Sequence, residues 1–311
     1  MTYASGGLIQ NQDYNGFIGS LDTGSGASLN QIWGTGFADC GYGQTGSLLS
    51  AVTAGTSVTA AQWAGAINRL NTIRTHQSGS GSGLSAPTAG STISYLSTLS
   101  SAISTAYSSR TATNYASPST TSLTKGLTLI QSAGFPASTN MSWTVQWSSV
   151  NAARYFFNAG GYYIVSYASF TNSGGTARGT SIQTLAQTNF ASKRVNIHSM
   201  GARTGTGGVV NQDTTNVGYY ELSNGNTNYC IITGQSYPYV GDYVYMQGYT
   251  NAVATNGGNG NTHYMTFGAY SSATGSSGTN DSINITLYMT LQVYYPEVTN
   301  LTSSWGTVTI T

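Results

Sequence analysis

The stretch INITLYMTLQVY, residues 283–294, alternates apolar and polar or aromatic side chains without interruption. The apolar positions are Ile283, Ile285, Leu287, Met289, Leu291 and Val293. A β-strand places successive side chains on opposite faces, so all six of these residues point the same way. The pattern therefore predicts a long antiparallel strand with one buried face and one exposed face.

Shorter stretches with the same period of two occur from about residue 140 onward. Trp143, Val145 and Trp147 alternate with polar residues, and the segments YYIVSYASF and DYVYMQGY are rich in β-branched and aromatic residues. Gly/Asn-rich turns such as NGGNGN separate these segments. Many short strands with turn-rich connections predict an antiparallel β-sandwich, jelly-roll-like, over residues 141–311.

The first part of the chain has a helical period instead. VTAAQWAGAINRLNTIRTHQ, residues 58–77, begins with a T-x-x-Q capping box and places Trp63, Ile67 and Leu70 on one face. A second amphipathic pattern, STISYLSTLSSAISTAYSS, predicts a partner helix that forms a helical hairpin with the first. Residues 1–56 are Gly-rich, which favours an irregular segment.

Together these patterns predict an α+β chain that is mainly β. An N-terminal module of irregular segment and helical hairpin occupies residues 1–110, a low-complexity linker residues 111–140, and the β-sandwich domain residues 141–311.

Charge is scarce throughout. Charged residues make up 5% of the chain and the formal net charge is +1, whereas soluble proteins average about 25% charged residues. Binding to nucleic acid needs clustered Lys and Arg, and the nine basic residues here are scattered. The composition therefore argues against nucleic acid and anionic membranes as partners, and no apolar run long enough for membrane insertion occurs.

Reactive side chains are also scarce. The chain contains eight acidic residues and three histidines, without metal-ligand spacing or a nucleophile motif. We therefore predict no enzyme activity, no catalytic residues, no metal and no cofactor, although a glycosidase pair of carboxylates stays open. Cys40 and Cys230 are expected to be free thiols, with a bridge between domains as the alternative. His76 is expected to cap its helix or to lie on the surface.

Tyrosines near turns are the candidate binding residues. In SYPYVGDYVYMQGY, Tyr237, Tyr239 and Tyr243 are predicted to be exposed and able to stack on sugar rings. The alternative is that outward tyrosines only cover a charge-poor sheet.

One arginine stands alone between Lys125 and Arg178, in AARYFFNAGG, residues 152–161. If residues 153–158 form a strand, Arg154 and Phe156 share a face, where the guanidinium can stack on the ring. We predict that this pair is a structural clamp, with ligand contact as the alternative. The candidate acidic partners of Arg154 are Asp242, Asp281 and Glu221.

Several segments resemble, in the same order, a group of tailed-bacteriophage virion structural proteins that are often described as tail-fibre-like. The segments are SGGLIQNQDYNGFIG, IWGTGFADCGYGQ, VTAAQWAGAINRLN, AARYFFNAGG and the closing long strand. The resemblance spans most of the chain and implies a virion component that is assembled in the host cytoplasm. Its partners would be other virion proteins and copies of itself, with a trimer preferred by analogy with fibres.

Three functions follow as expectations. In the first, the N-terminal module docks onto the particle, with Trp33, Trp63, Ile67 and Leu70 as docking or packing anchors, and the outer β-domain binds host-surface glycans. In the second, the protein decorates the neck, tail or capsid and binds only neighbouring subunits. In the third, it is a polysaccharide depolymerase.

Overall fold

The computed structural model describes most of the chain. The described residues are 11–19, 27–34, 41–90, 96–110, 122–133, 137–196, 209–212, 216–218, 227–234, 239–251, 260–271, 283–296, 299–302 and 305–311. The chain divides into two compact units. The first comprises residues 1–119, 151–160 and 296–306, and the second residues 120–150, 161–295 and 307–311.

Helices build the first unit. They are α1 (Asn11–Ile18), α2 (Leu29–Trp33), α3 (Ala60–Ser78), α4 (Leu96–Ser108) and α5 (Val150–Asn158), which enters this unit at residue 151. The two short helices α1 and α2 lie in the segment that was predicted to be irregular. α3 begins with the predicted capping box: the Thr59 Oγ1 accepts from the Gln62 amide at 3.2 Å, and Gln62 Oε1 accepts from the Thr59 amide at 2.8 Å. α3 ends at Gly79, whose φ of 77° is a left-handed conformation that glycine adopts without strain.

The two long helices pack against each other. The Gln77 amide group in α3 donates to the Ala106 carbonyl in α4 at 2.8 Å and to the Tyr42 hydroxyl at 2.9 Å. Leu99 and Ile103 of α4 are buried. The predicted pair of packed amphipathic helices is confirmed. The hydrogen bond between Gln77 and Ala106 fixes the position of one helix along the other.

Side-chain amides make the backbone hydrogen bonds of extended loops in the first unit, as a neighbouring strand would in a sheet. Asn15 donates to the Val52 carbonyl at 2.9 Å and accepts from the Val52 amide at 2.8 Å. Asn30 makes the same pair of bonds to Leu49, at 2.8 and 2.9 Å. Each amide thus satisfies one backbone donor and one backbone acceptor, as a neighbouring strand would.

Two sheets form the second unit. The strands are β1 (Ser122–Ala133), β2 (Ala137–Trp147), β3 (Tyr162–Asn172), β4 (Ser192–Asn196), β5 (Val209–Gln212), β6 (Asn216–Gly218), β7 (Thr227–Thr233), β8 (Tyr243–Thr250), β9 (Thr262–Ser271), β10 (Ile283–Tyr294) and β11 (Val308–Ile310). One sheet has the order β1-β10-β3-β4-β6 and the other β11-β2-β9-β8-β7-β5. All described pairings are antiparallel except β4 with β6. A helix, α6 (Ala177–Thr184), continues into a π-helical turn (Leu185–Phe190) between β3 and β4.

The predicted strand 283–294 is β10, and its alternation is confirmed. Its six apolar residues are at most 1% exposed. From this inner face the core extends to the second sheet: the Tyr163 hydroxyl of β3 lies 3.4 Å from His263 Nδ1 and 3.4 Å from Met265 Sδ, both on β9. The α+β fold with a sheet-rich domain of two sheets is confirmed.

The linker prediction is wrong from residue 122 onward. β1 and the start of β2 lie in the range 111–140, and β1 pairs with β10 over its whole length. Leu123, Lys125, Leu127 and Leu129 alternate with Thr124, Gly126, Thr128 and Ile130, so Lys125 and Ile130 interrupt the apolar/polar pattern of this segment. The Ser/Thr-rich sequence on either side of this segment does not indicate a strand, and the strand forms by pairing with β10, which is distant in sequence.

Candidate functional site

The outer face of the six-stranded sheet carries the candidate site. Val244 and Met246 of β8 are fully buried, so the intervening side chains point outward. We name the outward positions of β2, β8 and β9 the tyrosine face: Ser138, Asn140, Ser142, Thr144, Gln146, Tyr243, Tyr245, Gln247, Tyr249, Tyr264, Thr266, Gly268 and Tyr270. Apart from one glycine, these residues have aromatic, hydroxyl or amide side chains. None of them is charged.

Two pairs of tyrosines stack across β8 and β9. Tyr243 lies directly opposite Tyr270, with ring centroids 4.8 Å apart and planes inclined by 25°. Tyr249 lies opposite Tyr264, with centroids 4.5 Å apart and planes inclined by 22°. Cross-strand aromatic pairs of this kind stabilise a sheet and fix the orientation of the rings.

Tyr245 is held differently, because its cross-strand partner is Gly268. A Cβ atom at Gly268 would overlap the ring of Tyr245, so the ring lies directly over the glycine backbone. Any larger residue at position 268 would push the ring away from the sheet. The result is a half-buried ring that lies over the sheet, next to the tilted ring of Tyr243 at 6.0 Å and 55°.

An open depression of ≈ 290 Å³ adjoins these rings. Its lining residues are Ser138, Asn228, Ile231, Tyr243, Tyr245 and Gln247. The described lining residues supply aromatic surface, two amide side chains and hydroxyl groups, and their only titratable groups are the phenols. Burial raises the pKa of the Tyr243 phenol, and the neighbouring Tyr270 and Tyr245 raise it further. Tyr243 therefore stays neutral at physiological pH.

This combination of groups suits a sugar. Aromatic faces pack against the apolar face of a pyranose ring, and hydroxyl and amide groups donate to and accept from its hydroxyls. A few polar groups beside an aromatic surface are also the usual composition of small-ligand sites. The described lining residues include no carboxyl group, the group that glycosidases use for hydrolysis.

The three tyrosines that the sequence singled out have different positions. Tyr243 lies on the tyrosine face. Tyr239 is only 9% exposed, and the Arg178 guanidinium lies over its ring at 5.5 Å, so the expectation that it is exposed is wrong. Tyr237 lies outside the described residues. Tyr245 and Tyr270 were missed, although the alternation of DYVYMQGY and HYMTFGAY already placed them outward.

A buried ion pair fixes the turn that leads into β8. Arg178 of α6 donates from Nε to Asp242 Oδ2 at 2.8 Å and from Nη2 to Asp242 Oδ1 at 2.6 Å. Their side chains are 4% and 0% exposed. The Asp242 backbone closes the same turn, because its carbonyl accepts from Gly234 at 2.7 Å and its amide donates to Tyr239 at 3.0 Å. The pair therefore holds the end of β8 that carries Tyr243.

The structure corrects the prediction for Arg154. Residues 153–158 belong to helix α5, so Arg154 and Phe156 are two positions apart on a helix and do not share a face. Phe156 is fully buried and packs edge-to-face on Phe157 at 5.2 Å. Asp242, one of the three acids proposed as a partner of Arg154, pairs with Arg178 instead. Asp281 and Glu221 lie outside the described residues.

The predicted anchors of the first unit lie in its interior. Trp63 is 1% exposed and contacts Tyr14 and Phe17, with ring centroids at 5.4 and 6.0 Å. Ile67 and Leu70 are fully buried, and Trp33 is 7% exposed. Arg69 covers the Trp33 ring at 4.0 Å. These residues pack the interior of the unit, which is the packing role that the prediction gave them as an alternative to docking.

The described histidines are equally inaccessible. His76 is buried against the Tyr42 ring and not on the surface as expected, and burial lowers its pKa to about 4. His263 is fully buried beside Trp147, and burial lowers its pKa to about 3. Cys230 is fully buried, whereas Cys40 lies outside the described residues.

Searches of the described ranges found neither a metal site nor a membrane span. No group of three or more His, Cys, Asp or Glu side chains is placed to hold a metal ion there. No helix there combines the length and apolarity needed to cross a bilayer. The chain matches no protein-family model, and comparisons with curated proteins and with solved structures found no significant similarity.

Proposed function

We propose that the protein is a structural component of a bacteriophage particle, of the tail-fibre-like or appendage kind, and that its sheet-rich unit binds host-surface glycans through the tyrosine face. The observation that carries the binding function is the Tyr245 ring, which lies over Gly268 beside the depression. The virion assignment is supported by the resemblance of the N-terminal segments and by the 5% charged residues, a composition that makes the surface nearly indifferent to salt.

Stacking on Tyr245 can be tested with a matched control on the other sheet. Tyr288 of β10 is 37% exposed, and its ring lies over Gly126 of β1, a diagonal neighbour, whereas Gly268 is directly opposite Tyr245. Both substitutions to alanine remove a tyrosine from a glycine on a neighbouring strand. Tyr245→Ala is expected to weaken glycan binding about tenfold, the equivalent of roughly 1.4 kcal/mol, because it removes the stacking surface. Tyr288→Ala should leave binding unchanged.

The measurement is a glycan array with the full chain, followed by calorimetry of the strongest hit with both variants. Circular dichroism of each variant checks that it is folded. If Tyr288→Ala weakens binding as much as Tyr245→Ala, the tyrosine face is not the binding surface. If no glycan on the array binds, the glycan-binding function is wrong.

The particle assignment has a test of its own. An antibody against the chain should label intact virions of the phage that encodes it, and mass spectrometry of purified particles should give a fixed copy number. Absence of the chain from purified particles would refute the assignment. A copy number that is a multiple of three would support the preferred trimer.

A decoration protein that binds only neighbouring subunits is the second candidate, and one observation favours it. β1 is a twelve-residue edge strand whose only described pairing is with β10. Unpaired edges accept a strand from another chain. This candidate would be favoured if the protein binds no glycan and associates with itself, and if Lys125→Pro abolishes that self-association.

A further inference from the structure

We infer that the tyrosine face binds an extended, uncharged polysaccharide chain along β8 and β9, and not a single terminal sugar. This inference rests on the proposed glycan-binding function and specifies its ligand. The carrying observation is that the two stacked tyrosine pairs lie at opposite ends of the same face.

The spacing of the pairs sets the length of the site. Tyr243 and Tyr249 are six residues apart on β8, and Tyr270 and Tyr264 are six residues apart on β9. At about 3.3 Å per residue, the pairs lie about 20 Å apart along the strands. A single pyranose ring cannot reach both, whereas a chain of several sugar units can.

The surface between the pairs is polar and continuous. Gln247 and Thr266 lie opposite each other at the centre, and the Ser142 hydroxyl lies 2.9 Å from the Thr266 hydroxyl. Ser142 and Gln146 on the neighbouring strand β2 are exposed. A chain held by aromatic rings at its two ends would find hydroxyl and amide partners along its middle, as a row of sugar hydroxyls requires.

The charges of the second unit define the ligand class. Five of its charged side chains lie in the described residues, and none is on this face. Lys125, Lys193 and Arg194 are on strands of the other sheet, and Arg178 and Asp242 form the buried pair. A polysaccharide rich in carboxylates or sulfates would find no basic partner among the described residues of this face. The face therefore fits a neutral polymer, and its binding should change little with salt.

The test is a length series. The neutral polysaccharide with the strongest array signal is cleaved and fractionated from the disaccharide upward, and the affinity of the full chain for each fraction is measured by calorimetry. Affinity should rise with length until the oligosaccharide spans both pairs, and then level off. Raising the salt concentration should leave these affinities within about twofold.

Variants at the far pair separate the two ends of the site. Tyr264→Ala is expected to weaken binding of the long fractions about tenfold and to leave disaccharide binding unchanged, whereas Tyr245→Ala weakens both. Tyr264→Phe keeps the ring and should bind like the unmodified protein, which controls for a loss of folding.

Each outcome decides a different claim. Equal affinity for short and long fractions, with no effect of Tyr264→Ala, would overturn the extended-chain inference and leave the glycan-binding function intact. Absence of binding to every fraction would overturn both. If Tyr264→Ala changes the sedimentation coefficient instead of the affinity, the face is an interface between copies of the chain and the inference fails.

Discussion

Replacement of Arg178 by methionine tests the buried ion pair that holds the turn before β8. Both carboxylate oxygens of Asp242 accept from one guanidinium, and neither side chain is more than 4% exposed. Removing the cation leaves a carboxylate with its bidentate partner missing, in a site from which water is excluded. Truncations of this kind cost about 3–5 kcal/mol. Since the net stability of a domain is about 5–15 kcal/mol, the loss is a large fraction of the total.

Denaturant unfolding of the full chain, followed by circular dichroism, measures the effect. Arg178→Lys should fall between the unmodified protein and Arg178→Met, because an ammonium group cannot bind both oxygens in a fixed plane. The double variant Arg178→Met with Asp242→Leu should recover much of the loss, since apolar pairs replace buried ion pairs at little cost. Lys125→Met, which changes an exposed cation of the same unit, should stay within about 0.5 kcal/mol of the unmodified protein.

Two results would refute this reasoning. The first is a change of less than 1 kcal/mol for Arg178→Met, a value near the ordinary range for surface substitutions. The second is a double variant that is as unstable as the sum of both single variants, because the cycle would then show no coupling between the two side chains.

Three further predictions concern the rest of the fold. Acid should destabilise the protein through His76 and His263, whose pKa values in the folded state, about 4 and about 3, lie below the ordinary value of 6.5. Their contribution to the free energy of unfolding is complete above pH 6.5 and is lost as the pH falls from there toward the folded pKa values. The expected loss is about 1.4 kcal/mol per pH unit for each histidine. Denaturant titrations between pH 7 and pH 4 measure this slope, and a flat profile in that range would contradict it. Thr59→Ala removes the capping box of α3 and should lower the free energy of unfolding by about 1 kcal/mol in the same assay, whereas Thr59→Ser should lower it little. An equal loss in both variants would exclude capping as the cause. Asn15→Asp replaces the amide donor to the Val52 carbonyl with a carboxylate oxygen. It should lower the free energy of unfolding by about 1–3 kcal/mol above pH 5, and by less when the carboxyl group is protonated. A loss of stability that does not depend on pH would argue against the amide pairing.

The sequence was most informative where a pattern is local and long. Six apolar residues in strict alternation identify β10, and Thr59 with Gln62 identifies the start of α3, because neither depends on a distant partner. AARYFFNAGG shows the limit: its residues fit both a short strand and a helix, and periodicity cannot separate the two in so short an apolar run. The structure resolves it as helix α5, in which six of the nine residues are buried, so burial on several sides of the helix hides the helical period.

The candidate site could be predicted only in part. Alternation alone puts Tyr243 and Tyr245 on the outward side of β8. The support for the Tyr245 ring depends on the register that brings Gly268 opposite it, and the sequence does not state that register. Arg178 and Asp242 are 64 residues apart, so their pairing depends on the packing of α6 against the turn before β8.

The amide pairing of Asn15 and Asn30 has a practical consequence for labelling the protein. The two side chains bond to backbone atoms of Val52 and Leu49 and so anchor the path of this loop. Beyond these anchors the chain makes an exposed turn in which the Thr56 amide donates to the Thr53 carbonyl at 3.1 Å, and Gly55 has open space around it. An epitope tag or a dye-bearing cysteine inserted at this turn should therefore leave both ends of the loop in place. The tag would report on particle attachment and glycan binding from a part of the chain that belongs to neither the core nor the tyrosine face.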